Sequence, residues 1–337
     1  MADKYYFLPV LSEFFSVYLP KTKGLSANTI RSYKYAFKLF LEYVHIKYSL
    51  VPEKIEFQHL EKGAVEAWLD WLCTDRGCSP KTRNHRLSAL VTFARFALRR
   101  NFNGALTLCS EIEQLPKKKI QKKSRAVYFT KEEMSILLRL PDSHKKTGRR
   151  DMVLLSALYA TGARAQELCN ITAGDLRLGT TTTVLLCGKG DKIRTIVIPE
   201  QCSALLKSHI EQNRLNTRGT HCYLFSSQTH EHMTISCIEA IVKKYVQMAK
   251  KHRSDLFRDH YTPHSFRHSI AMHMLESGIQ LPVIKTFLGH VSISTTLIYA
   301  SANYELVNKY LRDKNPYAEQ DQNMINPTDS FLPHFLM

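Results

Sequence analysis

Between Pro116 and Arg125 the chain places six cations, Lys117, Lys118, Lys119, Lys122, Lys123 and Arg125, with no acid and no apolar periodicity. Such a stretch cannot belong to a core, so it divides the 337 residues into two bodies, each long enough to enclose its own hydrophobic interior. The expected boundaries are a first domain over 1–112, a basic linker over 113–127, a second domain over 128–315 and a tail over 316–337.

Local signals give each body a character. Ser26 is placed to cap a helix in which Ile30, Tyr33, Phe37, Phe40, Leu41 and Val44 recur at three- and four-residue steps. Ser79-Pro80 is an N-cap and first-turn pair opening a second helix, with Leu87, Leu90, Val91, Ala94 and Leu98 facing inward and Lys81, Arg83 and Arg86 near its start. The first domain therefore reads as a helical bundle. Thr130 and Glu133 have capping-box spacing and should open a new fold near residue 128. Thr182 to Leu186 and Thr195 to Ile198 are β-branched runs on either side of Gly188-Lys189-Gly190-Asp191-Lys192, the pattern of a hairpin with a lysine at its tip. Thr234 to Lys250, the segment after Pro263 and Pro282 to Leu288 read as helices. The class is mainly α with a small β-sheet.

Charge narrows the partner. Lys and Arg number 47 against 30 acids, a net +17, which favours a polyanion such as nucleic acid. Lys81, Arg83 and Arg86, with the linker cations, are candidate DNA-binding groups that grip phosphates without reading sequence. The eight cysteines show neither zinc nor disulfide spacing and read as reduced structural thiols. The N-terminus has no secretion signal and no apolar run is long enough to span a bilayer, so a cytoplasmic protein without membrane partners is expected.

Three distant runs carry the chemistry: Thr161-Gly162-Ala163-Arg164-Ala165-Gln166-Glu167-Leu168, His264-Ser265-Phe266-Arg267-His268, and Leu288-Gly289-His290 with Tyr299 nine residues on. To cleave a phosphodiester without a metal, a protein must supply an attacking oxygen, neutralise charge on the non-bridging oxygens and protonate the departing alkoxide. Arg164 and Arg267 bring fork-shaped donors, and His264 shares a helical face with Arg267. Tyr299 can attack, because nearby cations lower the cost of its phenolate, and Lys189 can deliver a proton.

This ordered set resembles the tyrosine recombinase (phage integrase) family, over about Phe129 to Lys314. Weaker patterns in the first domain are similar to that family's helical, SAM-like core-binding domain. The resemblance implies Tyr299 as nucleophile, with Arg164, Arg267 and His264 on the scissile phosphate, Lys189 as general acid and His290 as a phosphate-contacting hydrogen bonder. It further implies a 3′-phosphotyrosine intermediate, a Holliday junction, no cofactor and no metal. Implied partners are double-stranded DNA, a homotetramer exchanging C-terminal segments, and a second recombinase or accessory DNA-bending protein. The tail beyond Tyr304, with Phe331 to Met337, is the expected exchanger. Integration, excision or transposition of a mobile element is the first biological setting implied, Xer-like resolution the second. Departures from the family pattern are small: Ala163 and Ala165 replace larger aliphatics, Ser265 stands where an acid is frequent, and Ala300-Ser301 follows the tyrosine.

Three alternatives stand beside this reading. A zinc enzyme could use His264 and His268, four apart, with His230-Glu231-His232, although no HExxH is present. A type IB topoisomerase shares the tyrosine chemistry but typically has lysine at the position of His264. A non-catalytic architectural DNA-binding protein would keep the basic surfaces and lose the chemistry.

Overall fold

The computed structural model describes residues 7–100, 105–120, 126–188, 190, 192–215, 217, 219–227, 229–290, 292, 296 and 299. The chain separates into two compact units, residues 1–122 and 123–337.

The first unit is helical. Helix α1 (Phe7–Glu13) runs into a π-helical stretch over Phe14–Thr22, where Pro20 supplies no N–H to the regular ladder. Helix α2 (Ala27–Tyr48) starts where the Ser26 hydroxyl accepts from the Thr29 N–H. Helix α3 (Lys62–Thr74) is followed by α4 (Pro80–Arg99), whose start is fixed by Ser79 accepting from Thr82 N–H and by Pro80 in the first turn. Helix α5 (Ala105–Glu113) closes the unit. Its centre is aromatic: the Phe93 ring lies 5.4 Å from Phe7, 5.3 Å from Phe14 and 5.3 Å from Phe37.

The first half of the basic linker is not a free tether. Leu115 is buried in the aromatic unit's core. Asn84 clamps the chain beyond it, its Nδ2 donating to the Lys118 carbonyl at 2.8 Å and its Oδ1 accepting the Lys118 N–H at 3.0 Å. Arg83 donates to the Pro116 carbonyl at 3.1 Å and is 5% exposed. Its side chain is buried against the linker backbone, which corrects the expectation that Arg83 is a phosphate-gripping surface group. Lys81, Lys117, Lys118 and Lys119 are exposed, and Arg86 is half-buried over the Tyr35 ring. Lys122, Lys123 and Arg125 lie outside the described residues.

The first helix of the second unit follows Phe129. The Thr130–Glu133 capping box starts α6 (Lys131–Arg139), and the Glu133 carboxylate also accepts from Phe257 N–H and Tyr261 OH, both at 2.7 Å. Helices α7 (Lys146–Thr161) and α8 (Ala165–Asn170) precede an antiparallel sheet of β1 (Leu176–Arg177), β2 (Thr183–Cys187) and β3 (Ile193–Val197), ordered β1-β2-β3. The expected hairpin is β2–β3, with Val184 opposite Ile196 and Leu186 opposite Arg194; the two-residue β1 carries too short a pattern to be read from sequence. Helices α9 (Glu200–Gln212), α10 (Ile235–His252), α11 (Pro263–Glu276) and α12 (Leu281–Leu288) complete the described part. Cys169 and Cys202 are buried thiols pushed up by loss of water to about 11 and about 12, so neither is a nucleophile at neutral pH.

Two side chains of α11 hold the extended segment that leads into α6. Ser269 Oγ accepts the Phe129 N–H at 2.8 Å, and His273 Nε2 donates to the Phe129 carbonyl at 3.0 Å. A carbonyl can only accept, so His273 carries its proton on Nε2 and Nδ1 accepts from Tyr159 OH at 2.8 Å.

Two stability outcomes follow from this packing. Phe93→Ala removes the ring that five other phenylalanines share and should cost about 3–5 kcal/mol, read as a lower denaturant midpoint for the first unit. Gly162 ends α7 at φ 56°, and a Cβ there would lie 3.1 Å from Ile270, Leu288 and Phe287 side chains. Gly162→Ala should therefore cost at least ~1–2 kcal/mol in the second unit, and an unchanged thermal midpoint would refute the strain argument.

Candidate active site

The first run is a helix end followed at once by a helix start. Thr161 Oγ1 donates to the Ala157 carbonyl at 2.6 Å and accepts the Ala163 N–H at 3.1 Å, while Gly162 takes the left-handed turn. Arg164 is then the N-cap of α8, and Glu167, three residues on, reaches back to the Arg164 N–H at 2.9 Å. The Thr-Gly-x-Arg-x-x-Glu spacing is thus a folding instruction that leaves an arginine on a turn. The Glu167 carboxylate also accepts Arg164 Nη1 at 2.6 Å.

The second run opens α11. Pro263 occupies the first turn, and Ser265 Oγ accepts the Thr262 N–H at 3.1 Å. Ser265, where the family often has an acid, therefore performs the N3 capping role without a charge. Arg267 is 1% exposed and bridges two helix ends, Nη1 donating to the Gly162 carbonyl at 2.6 Å and Nη2 to the Leu288 carbonyl at 2.5 Å. Its Nε is buried with no hydrogen-bond partner among the described residues. Burial, joined by repulsion from Arg164, brings the Arg267 guanidinium down to about 10, so it remains charged at neutral pH.

The third run ends α12. Gly289 takes the left-handed cap at φ 65°, and His290 follows with its N–H on the Lys285 carbonyl at 3.1 Å. His290 Nδ1 meets Thr296 Oγ1 at 3.0 Å. Tyr299 is buried at 1% exposure among Ala271, Met272, Ile284 and Leu288, on the faces of α11 and α12. Its hydroxyl lies 2.9 Å from His268 Nδ1.

The electrostatics are one-sided. Burial, reinforced by the Arg267 and Arg164 charges, holds His290 down to about 4, and burial with His264 and Arg267 does the same to His268. His264, exposed at the edge of the cluster, is also lowered, by desolvation and then by Arg267 and Arg164. All three imidazoles are neutral at pH 7. Desolvation pushes Tyr299 up to about 12 against the opposing pull of Arg267 and Arg164, so the phenol is protonated at rest. Burial works to raise Glu167, yet hydrogen bonds and charge from Arg194 and Arg164 outweigh it and hold the carboxyl below its ordinary value.

Arg164, His264, Arg267, His290 and Tyr299 are therefore gathered by these contacts, while Lys189 lies outside the described residues. The β2–β3 connection is closed by the Gly188 N–H donating to the Lys192 carbonyl at 2.8 Å. Two residues of the cluster were not singled out for this chemistry from sequence. His268 entered only as half of a zinc pair, although its place one residue after Arg267 puts it on the same buried helix. Arg194 shares the inward face of β3 with Ile196, and a cation at an inward strand position is itself a signal that a buried partner awaits it. Among the described residues, no group of three His, Cys, Asp or Glu is placed to hold a metal ion.

Comparisons with known proteins agree with this architecture. The family model for the phage integrase family matches residues 127–305, and that for the phage integrase N-terminal SAM-like domain matches residues 12–101. Tyrosine recombinase XerC of Bacillus subtilis is 30% identical, over 90% of this chain and 95% of its own length. Tyrosine recombinase XerD of Staphylococcus haemolyticus is 31% identical, over 88% of this chain and 95% of its own. Among solved structures, the XerH site-specific recombinase bound to its difH substrate superposes with a TM-score of 0.63 at 21% identity, over 85% of this chain and 80% of that one. No described helix is long and apolar enough to cross a membrane. With the family model spanning the whole gathered site and recombinases of 30% identity or more along nearly nine-tenths of the chain, the protein belongs to the phage integrase family of tyrosine recombinases, enzymes that cut and rejoin DNA strands.

Proposed function

We propose that this site-specific recombinase cleaves double-stranded DNA through a covalent 3′-phosphotyrosine on Tyr299 and exchanges strands by way of a Holliday junction. The observation that carries the assignment is the Tyr299 hydroxyl, set 2.9 Å from a neutral imidazole on the helix that also bears His264 and Arg267. In the step proposed, the Tyr299 oxygen bonds to phosphorus as the bond to the 5′ oxygen breaks. His268, hydrogen-bonded to the phenol, receives its proton; arrival of the phosphate raises the histidine's basicity by compensating the arginines. Arg164 and Arg267 counter charge on the non-bridging oxygens, His264 and His290 hydrogen-bond to the phosphate, and Lys189 protonates the leaving 5′ oxygen. The bond energy stays in the phosphotyrosine, so a 5′ hydroxyl from another strand reverses the step without ATP.

The assembly proposed is a homotetramer on two duplexes, in which the exposed Lys81, Lys117, Lys118 and Lys119 add contacts to phosphates. The C-terminal segment, Phe331 to Met337 included, is the part proposed to be exchanged between protomers; it lies outside the described residues. The setting proposed is integration, excision or transposition of a mobile element in the cytoplasm. One relative, from Sinorhizobium fredii, is described as a putative integrase/recombinase and is 28% identical over 96% of both chains. Topoisomerase-like and purely architectural roles are not favoured, because the relatives that align along most of the chain are recombinases.

Two measurements test this reading. On a nicked suicide duplex carrying the native junction, wild-type protein should form a covalent protein–DNA band on a denaturing gel, and Tyr299→Phe should bind the duplex without forming it. Binding by both with no adduct from either would remove Tyr299 from the chemistry. The neutral histidines give a second test. His268 and His290 sit at about 4 against an ordinary 6.5, so the unfolded chain binds more protons between those values and stability rises with pH across that window. For the DNA-free protein, the thermal midpoint of the second unit should fall as pH drops from about 6.5 toward 4. His268→Gln and His290→Gln should each make that fall shallower, and an unchanged slope in both would locate its source elsewhere.

A further inference from the structure

Arg194 stands on β3 with its side chain turned to the interior and only 11% exposed. A guanidinium in that position is costly unless its donors are met. Two are met by one carboxylate: Arg194 Nη1 donates to Glu167 Oε1 at 3.2 Å and Nη2 to Glu167 Oε2 at 2.7 Å, a fork-on-fork pair. That same carboxylate, 4% exposed, accepts Arg164 Nη1 at 2.6 Å. One negative charge is therefore shared by two guanidinia, and the group keeps a net positive charge.

The sharing changes what Arg164 can do. A lone Glu167 would be the full counter-ion of Arg164 and draw its fork into a closed pair. With both carboxylate oxygens gripped by Arg194, and Oε2 also taken by the Arg164 backbone N–H, the Arg164 guanidinium is held through a single nitrogen, and its side chain stays 36% exposed with donors left over. The placement of Arg194 is itself tightly specified. A Cβ on Gly289 would lie 3.1 Å from Arg194 Cδ and 3.2 Å from its Nη1; one on Gly188 would lie 3.2 Å from Glu167 Oε1 and 3.7 Å from Arg194 Nη1. Arg194 thus lies between the glycine that starts the hairpin loop and the glycine that precedes His290.

We infer that Arg194 is a positioning residue for strand cleavage: by forking onto Glu167 it orients Arg164 toward the scissile phosphate and leaves the arginine pair one net positive charge to meet it. This rests on the proposed phosphotyrosine reading and adds a residue that does not itself touch DNA. It also separates Arg194 from Lys189, which shares the hairpin but is assigned to the leaving group rather than to the non-bridging oxygens.

The test uses full-length protein and three nicked suicide duplexes. One carries an ordinary scissile phosphate. The second carries a methylphosphonate, in which a methyl group replaces one charged non-bridging oxygen. The third carries a 5′-bridging phosphorothiolate, whose thiolate leaving group needs no proton. On the phosphate, Arg194→Ala should lower single-turnover strand cleavage roughly 100-fold, the scale of a misplaced catalytic group. The deficit should shrink to under about 10-fold on the methylphosphonate, where less charge must be countered, and should persist on the phosphorothiolate. Arg194→Lys, which keeps the charge and loses the fork, should recover only part of the rate, with duplex binding and thermal midpoint near wild type. Equal losses on all three substrates would reduce Arg194 to a structural residue. Restoration by the phosphorothiolate alone would move its action to the leaving group; either result, or wild-type cleavage by Arg194→Ala, overturns the inference. Absence of an adduct from wild-type protein would instead sink the Tyr299 reading, and it shows before any variant is compared.

Discussion

The active site depends on one buried cation. Arg267 joins the carbonyl of Gly162, at the end of α7, to the carbonyl of Leu288, at the end of α12, and so brings together runs that lie more than a hundred residues apart. Both acceptors sit at helix C-termini, where carbonyls lack partners within the helix and the local dipole is negative. That is why a guanidinium tolerates 1% exposure there without a carboxylate of its own. The left-handed glycines at 162 and 289 turn those chain ends around it, and the residues that follow them, Arg164 and His290, are delivered to the same place. The motif order in the sequence is thus the order in which three helix boundaries wrap around one side chain.

Concentrating arginines has a cost that the histidines register. Arg164 and Arg194 share one carboxylate, Glu167, with Arg267 close by; desolvation, then Arg267 and Arg164, hold His290 down to about 4, while desolvation, then His264 and Arg267, do the same to His268. Permanent charge is therefore stored on groups that do not titrate near neutrality, while the imidazoles are kept as neutral hydrogen-bonding groups. Burial leaves Tyr299 protonated at rest, and the same arginines that oppose that burial lower the cost of its phenolate. In the reaction proposed, a phosphodiester entering the cluster would bring the negative charge that the site lacks. On the proposed reading, local rules are strained here because the missing counter-charge would come with the substrate.

How much of this was legible depends on how local each interaction is. Ser26, Ser79 and Thr130 open helices as read, because a cap is made with a backbone group three residues away. The β2–β3 hairpin was legible from its β-branched runs and glycine-flanked loop, and the catalytic candidates from a fixed order of motifs. Arg83 was misread because its partner, the Pro116 carbonyl, lies 33 residues on, in a segment that looks like a pure tether. Arg194 went unread for the same reason: its carboxylate is 27 residues back, on another element. His268 was weighed against His264 at helical spacing, whereas its partner is a tyrosine 31 residues further on. Charge and spacing show that a residue must be satisfied, and the fold decides by what.

Serine at 265 shows how such a choice is made within one helix start. Helix α6 is opened by Glu133, whose carboxylate caps Thr130 and is then spent on Phe257 N–H and Tyr261 OH. Helix α11 is opened at the equivalent position by Ser265, whose hydroxyl gives the same backbone cap from Thr262 while its carbonyl accepts from Ser269. The serine makes that backbone cap with a neutral hydroxyl, so the helix starts without a carboxylate being buried in its first turn.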